Sequence, residues 1–258
     1  MHKSLNFFKR NLKEMLRDPL IYLFCLGFPL IMLILFHILN KYTGDNTPMF
    51  ELRSLLPSIL MFSYTFVMLT LSLIVSKDRQ TFFLKRLYSS PMKTYDFILG
   101  YCLVGLFIGF LQTAVCILTA FILSVISTLP FISFGGLSLL ALSQLPILIT
   151  NVFLGLLLGT VFNDKSAPGI CSVFISLSGI LGGCWMPLEN MGNFEVFCRC
   201  LPFYPSVYIG RCITGAKTAL GTVYTFNSVA HLGWIPITLF MLGSILFALI
   251  TFRLSRKD

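Results

Sequence analysis

Five long stretches of the chain contain no Asp, Glu, Lys or Arg, and their lengths predict the architecture. A membrane-spanning helix needs about 20 mostly apolar residues. The uncharged stretches are 20–39, 55–76, 97–163, 166–188 and 232–252. The third is long enough for two spans, with turn signals at 129–130 and 135–136. Because lipid cannot satisfy backbone hydrogen-bonding groups, each span must be helical. The pattern predicts an all-α polytopic membrane protein with six transmembrane helices, at about 20–39, 55–76, 97–127, 137–162, 166–187 and 232–252.

Composition and charge agree with this architecture. The chain is 56% hydrophobic and 11% charged, whereas a soluble domain is about 25% charged. These values exclude an ordinary cytosolic domain, a disordered chain and a disulfide-rich secreted module. Of the 19 Lys and Arg residues, about three quarters lie before span one, between spans two and three, between four and five, or after six. Because positive loops stay in the cytoplasm, both termini are expected there, which requires an even number of spans.

The first residues have the pattern of an amphipathic helix at about 3–18. Its apolar side chains fall on one face, and Asp18-Pro19 ends it. Such a helix lies in the headgroup plane with its cations near anionic lipid. The predicted interface helix presents the basic residues Lys9, Arg10, Lys13 and Arg17, and the apolar residues Leu5, Phe8, Leu12, Met15 and Leu16. A solvated juxtamembrane segment is the alternative.

The cytoplasmic loop between spans two and three contains a second short amphipathic segment. Phe83, Leu84, Leu87 and Tyr88 recur at helical spacing, and Pro91 stops the pattern. We therefore predict a cytoplasmic helix at about 79–90.

The last outer loop combines aromatic residues, prolines and charges. It is too apolar for an aqueous loop and too interrupted for a span, so the sequence predicts a re-entrant or interface-lying helical hairpin at about 186–212. Its candidate functional residues are Trp185, Pro187, Glu189, Pro202, Pro205 and Arg211.

The sequence offers no catalytic, cofactor-binding or metal-binding constellation. It has no G-x-x-x-x-G-K-[ST] motif, and no span has an Asp or Glu in its interior. Cys198-Arg199-Cys200 is the only tight cysteine pair and has no nearby His. A disulfide on the outer side could involve Cys184, Cys198, Cys200 and Cys212, with the pairing left open. The chain is therefore expected not to be an enzyme, and to be driven by a separate protein that docks on the cytoplasmic helix.

Two small-xxx-small patterns occur within the spans. They are Gly105 with Gly109, and Gly155 with Gly159. Small residues at this spacing let helices approach closely. Packing inside the six-helix bundle is one interpretation, and a contact in a dimer is the other.

Three sequence segments resemble those of ABC-2 type permeases of ATP-binding-cassette transporters. The entry to the first span has Arg17-Asp18-Pro19-Leu20 and Phe28-Pro29-Leu30. The loop after span two runs from Asp78 through Leu84-Lys85-Arg86-Leu87 to Ser90-Pro91, with Gly100 opening span three. The end of span five and the outer hairpin have Gly182-Gly183-Cys184-Trp185-Met186-Pro187, then Leu201-Pro202-Phe203-Tyr204-Pro205 and Arg211. One departure is Gln80, where the family has Gly.

The resemblance implies a permease subunit of an exporter in a bacterial cell membrane. Such permeases pair as homo- or heterodimers and bind two cytoplasmic ATPase subunits, which hold the ATP and Mg. The permease itself carries no cofactor. The segment 79–90 would be the coupling helix, with Phe83 and Leu87 as its docking face and Lys85 and Arg86 facing acidic ATPase residues. Arg79 and Pro91 complete the implied coupling residues.

The spans suit a hydrophobic or amphiphilic cargo, because they are rich in Phe and Leu and lack fixed charge. Drugs, peptide antibiotics and lipids fit this description, and multidrug efflux would follow. The 26 Phe residues could equally face lipid. Relatives of this size also export lipid-linked polysaccharide. Alternatives from other classes are an ion-coupled secondary transporter or channel, a membrane-embedded lipid enzyme, and a non-transporting anchor subunit.

Overall fold

The computed structural model describes residues 2–19, 22–43, 47–80, 94–127, 132–189, 191–218 and 221–254. Within these residues the protein is helical, and an isolated bridge pairs Lys217 with Val223. The helices are α1 (His2–Met15), α2 (Tyr22–Tyr42, with a π-helical first part), α3 (Leu52–Gln80), α4 (Thr94–Ile126), α5 (Phe134–Val161), α6 (Ala167–Leu181), α7 (Asn193–Arg199), α8 (Phe203–Thr214) and α9 (Ser228–Leu254).

Five of the described helices are long and apolar enough to cross a membrane. They are α2, α3, α4, α5 and α9. This finding confirms the all-α, multi-pass class that the uncharged stretches predict. The prediction of six spans is not confirmed by length, because the predicted fifth span, 166–187, forms the 15-residue helix α6.

Helix α6 ends early because of two consecutive glycines. Gly182 caps its C-terminus, and Gly183 has a φ of 63°, in the left-handed region that glycine adopts without steric cost. Trp185 and Pro187 therefore follow the helix instead of lying in its last turn.

The centre of the bundle is α3. In its most apolar window 83% of the residues are buried, compared with 22% in α2 and in α9. A helix that is apolar on all sides is enclosed by other helices. Around α3 lie α5, α6, α4 and α8, whereas α2 and α9 expose long aliphatic side chains on their outer faces.

The two small-xxx-small patterns pack inside this bundle. A Cβ added to Gly155 of α5 would lie 2.6 Å from the Met68 carbonyl oxygen of α3. A Cβ added to Gly159 would lie 2.7 Å from the Ser72 carbonyl oxygen. Gly105 and Gly109 of α4 face leucine side chains of α3 and α5. The glycines therefore allow close approach between helices of one chain, which is the first of the two interpretations.

Contacts between distant residues define two ends of the bundle. Gly159 of α5 lies against Ser72 and Val75 near the end of α3, and Thr160 contacts Thr251 near the end of α9. We call this the Asp78 end. Opposite lie the start of α3, the segment after α6, and α7 and α8; we call this the Arg211 end. The predicted outer hairpin, 186–212, corresponds to α7, α8 and the residues before them, and its re-entrant depth stays a prediction.

Candidate functional site

At the Asp78 end, α1 packs across the beginning of α4. Ser4 Oγ donates a hydrogen bond of 2.7 Å to Asp96 Oδ1. The buried ring of Phe7 meets the rings of Phe97 and Tyr101 edge-on, with centroids 5.4 and 5.0 Å away. Gly100 makes this possible, because a Cβ there would collide with the Phe7 ring. The N-terminal helix is thus seated in a specific position on the transmembrane bundle.

A buried carboxylate joins α1 to both α3 and α4. The Asp78 side chain is 4% exposed. Its Oδ2 accepts a 2.6 Å hydrogen bond from the Tyr101 hydroxyl, and its Oδ1 lies 3.4 Å from Nη2 of Arg10. The same Arg10 nitrogen lies 3.0 Å from Glu14 Oε2. Because a buried carboxylate without donors is costly, Asp78 favours the arrangement in which all three helices meet.

These contacts flank the loop on which a coupling helix is predicted. Asp78 precedes the loop and Asp96 follows it, so α1 is bonded to both of its ends. Arg79 lies half-buried in the last turn of α3. The other predicted coupling residues lie outside the described residues, so their docking role stays a prediction: Phe83, Lys85, Arg86, Leu87 and Pro91.

The structure divides α1 into three faces instead of two. Lys9, Lys13 and Arg17 are exposed, whereas Arg10 turns toward Asp78. Most of the predicted apolar stripe is exposed or half-buried: Leu5, Phe8, Leu12 and Leu16. The face buried against the protein consists of Ser4, Phe7, Asn11 and Met15, of which only Met15 belongs to the predicted stripe. Its spacing of three to four residues was a usable signal, but Ser4 and Asn11 suggest a solvated face.

At the Arg211 end, a buried arginine connects four segments. Arg211 of α8 is 1% exposed. Its Nη2 donates to Ser58 Oγ at 3.0 Å and to the Gly183 carbonyl oxygen at 2.9 Å. Its Nη1 lies 3.4 Å from the Tyr224 hydroxyl and 3.8 Å from Glu189 Oε1. The guanidinium therefore links α3, the segment after α6, α8 and the segment before α9.

Tyr224 completes this cluster. Its hydroxyl donates to the Glu189 carboxylate, and its ring lies 5.7 Å from the Arg211 guanidinium carbon. Burial raises the pKa of Tyr224, against the opposing effect of the nearby Arg211 charge. The hydroxyl thus stays protonated at neutral pH and remains a donor. Tyr224 was not among the predicted residues, because a tyrosine in a polar outer segment has no distinguishing pattern.

The predicted outer residues separate into distinct environments. Glu189 and Arg211 come together in the buried cluster. Trp185 instead stacks on Phe36 at 4.9 Å and meets Phe62 edge-on at 5.0 Å. Pro187 is exposed. Two other prolines begin α8: Pro202 is its N-cap, and Pro205 is buried against α9 beside Gly233.

A second polar contact between helices was also missed. Gln144 of α5 is fully buried and shares two hydrogen bonds with Ser206 of α8. Gln144 Nε2 donates to the Ser206 carbonyl oxygen at 3.0 Å, and Ser206 Oγ donates to Gln144 Oε1 at 2.9 Å. A lone Gln inside an uncharged span needs a partner on another helix. That need was the available signal, although the sequence does not identify the partner.

All eight cysteines are described, and all are free thiols. The outer-side cysteines considered as disulfide candidates are therefore unpaired in this structure. Among the described residues, no group of three His, Cys, Asp or Glu side chains is arranged to hold a metal ion.

Comparison with protein-family models identifies the family of this chain. A family model described as "ABC-2 type transporter" matches residues 5–213, from α1 to α8, and so includes Arg10, Asp78 and Arg211. Such a domain is the permease component of an ABC transporter and is not a catalytic domain. Among curated proteins, no match is found.

Proposed function

This chain belongs to the ABC-2 type transporter family, and from that premise we propose that it exports hydrophobic or amphiphilic cargo with energy from separate ATPase subunits. The ATPases would dock on the cytoplasmic loop between α3 and α4, and would bind the ATP and Mg. A second permease copy, identical or homologous, would complete the transporter in a bacterial cell membrane.

The observation that supports this proposal most directly is the seat of α1 on both ends of that loop. Arg10 reaches Asp78 before the loop, and Ser4 bonds to Asp96 after it. A displacement of the loop by an ATPase would therefore move α1, α3 and α4 as one unit. Buried, hydrogen-bonded contacts transmit such movements because packed interfaces resist gradual deformation.

The charge pattern of the spanning helices supports the proposed cargo class. In the described parts of α2, α3, α4, α5 and α9, the Asp, Glu, Lys and Arg residues lie in the terminal turns, such as Arg53, Asp78 and Arg253. A cargo path along these helices would offer no fixed charge, which suits an apolar or amphiphilic molecule. The same absence of buried acidic residues in mid-span disfavours coupling to an ion gradient.

The position of α6 supports a sixth crossing. Near its start, Cys171 clusters with Met68 of α3, and just after its end Cys184 donates to the Ser58 carbonyl oxygen. The segment from α6 to Cys184 thus runs antiparallel to α3, alongside its residues from Met68 back to Ser58. Fifteen residues rise about 22 Å at 1.5 Å each. We propose that α6 crosses with the help of the segment 182–187, which puts both termini in the cytoplasm.

The proposed topology can be tested with Cys200, the one exposed thiol of the eight. A membrane-impermeant maleimide added to intact cells should label the natural chain and should not label Cys200→Ser. The seven other thiols are buried, so they provide little background. Labelling that appears only after the cells are opened would contradict the topology.

The proposed coupling can be tested with Arg86→Glu. We expect this change to abolish most ATP-driven export and co-purification of the ATPase, while membrane insertion stays normal, because it reverses a charge in the predicted docking segment. Lys165→Glu, in the cytoplasmic connection between α5 and α6, is the matched control and should leave both unchanged. Normal export by a well-inserted Arg86→Glu protein would contradict the proposal.

Cargo class can be tested by deleting the gene. Increased sensitivity to amphiphilic antibiotics with an intact surface glycan would support the proposed cargo. Loss of the surface glycan without a change in sensitivity would instead assign lipid-linked polysaccharide.

A further inference from the structure

We propose that the Asp78 end contains a binding site for the phosphate headgroup of an anionic phospholipid. The site is a cavity of about 650 Å³ between the second half of α1 and the last turns of α3. This volume lies within the range of small-molecule pockets, about 300–1,000 Å³. The proposal does not rest on the direction of export or on the cargo.

Positive charge predominates in the lining of the cavity. Four basic side chains line it, against two carboxylates: Arg10, Lys13, Arg17 and Lys77, with Glu14 and Asp18. One of the carboxylates, Glu14, is already bonded to Arg10. Lys13 and Arg17 are exposed, and neither forms an ion pair within the described part of the chain. The cavity therefore offers two available cations to an anion, with two more beside them.

The remaining lining is apolar and identifies the anion as an amphiphile. Leu73 and Ile74 of α3 and Met15 of α1 form this part of the wall. Leu16, in the turn after α1 and between two residues that line the cavity, is 46% exposed. A free phosphate ion gains nothing from such a surface, whereas the glycerol and first acyl carbons of a phospholipid would bury it. Basic pockets at the cytoplasmic ends of spanning helices bind lipid headgroups on this principle.

A lipid in this position would contact both helices at once. Lys13 belongs to α1 and Arg17 to the turn that follows it, whereas Lys77 and Leu73 belong to α3. Lys77 immediately precedes Asp78, whose carboxylate already joins the two helices. The bound headgroup would thus stabilise the seat of α1 on the bundle, and its removal would loosen α1 before the spanning helices unfold.

The test uses the full chain purified in a neutral detergent, with lipid retention measured by native mass spectrometry. The probes are phosphatidylglycerol, phosphatidylcholine and inorganic phosphate. We expect phosphatidylglycerol to be retained in preference to phosphatidylcholine, and inorganic phosphate not to compete at millimolar concentration. The double change Lys13→Glu with Arg17→Glu should weaken phosphatidylglycerol binding by roughly tenfold.

Lys9→Glu is the matched control, because Lys9 is an exposed cation of the same helix that does not line the cavity. It should change binding less than twofold. The neutral pair Lys13→Gln with Arg17→Gln should also weaken binding. That result would show that the loss of binding does not come from misfolding caused by the reversed charges. Each variant is compared by its elution profile and its helical signal.

Three results would overturn the proposal. Equal loss of binding in Lys9→Glu would indicate general surface attraction instead of a site. Competition by inorganic phosphate would indicate a free-phosphate site. Unchanged lipid binding in the double variant, with loss of ATPase co-purification, would assign the cavity to a protein partner.

Discussion

An ion pair with one buried member lies at each end of the bundle, but the buried members have opposite charges. At the Asp78 end, the carboxylate is 4% exposed and its partner Arg10 is 36% exposed on a peripheral helix. At the Arg211 end, the guanidinium is 1% exposed, and Glu189 is 17% exposed. Arg10 could thus exchange its partner for water, whereas Arg211 could not. The seat of α1 should therefore tolerate the loss of its ion pair better than the Arg211 cluster, in which one guanidinium joins four segments.

The largest effect is expected from Arg211→Met. The change leaves Glu189 without its cation, and leaves the Gly183 carbonyl and Ser58 without their donor. Breaking a buried pair from one side costs about 3–5 kcal/mol, so the thermal unfolding midpoint should fall sharply and the yield of folded protein with it. Arg199→Met is the control, because Arg199 forms an exposed i,i+4 pair with Glu195 at 2.6 Å, and such pairs contribute at most about 1 kcal/mol. Equal midpoints for the two variants would contradict the importance of the Arg211 cluster.

An intermediate effect is expected from Asp78→Asn. The amide oxygen can still accept from Tyr101, but the charge that attracts Arg10 is lost. A hydrogen bond to a charged group is worth about 1.5–3 kcal/mol, and we expect a loss near the lower limit because Arg10 is partly solvated. Amide exchange should accelerate in α1 and remain slow in α8. Uniform acceleration across the bundle would mean that Asp78 stabilises the whole fold and not the seat of α1.

The smallest effect is expected from Arg10→Met, measured without anionic lipid. Arg10 is partly exposed and its ion pairs are screened, so the loss of stability should be below about 1 kcal/mol. The same substitution at position 211 provides the direct comparison. If Arg10→Met lowered the unfolding midpoint as much as Arg211→Met, the proposed difference between the two ends would be wrong.

Five of the spans were predictable, because the uncharged stretches reflect a requirement of the solvent that acts at every residue. The partners of polar residues were not. Arg10 and Asp78 are 68 positions apart, and no local spacing rule relates them. Arg211 was recognised as a candidate residue of the outer hairpin. Its burial was not predictable, because it depends on three other segments that supply the acceptors for its guanidinium.

Two further differences have the same physical origin. The apolar stripe of α1 was visible in its periodicity, yet Phe7 and Asn11 define the face that contacts the protein, because Gly100 leaves a space for the Phe7 ring. The length of α6 depends on the left-handed backbone of Gly183, whereas hydropathy continues through Pro187 without a change. Hydropathy measures solvent preference, and it does not report where the backbone turns.

The enclosure of α3 determines where natural variation in this transporter can be productive. A helix that touches its own chain on almost every side has little surface left for a passing molecule or a second permease. Random mutagenesis should therefore recover misfolded protein from α3, while substitutions that alter cargo preference should map to the outward faces of its neighbours. Evolution of new cargo preferences would proceed around this helix and leave it almost unchanged.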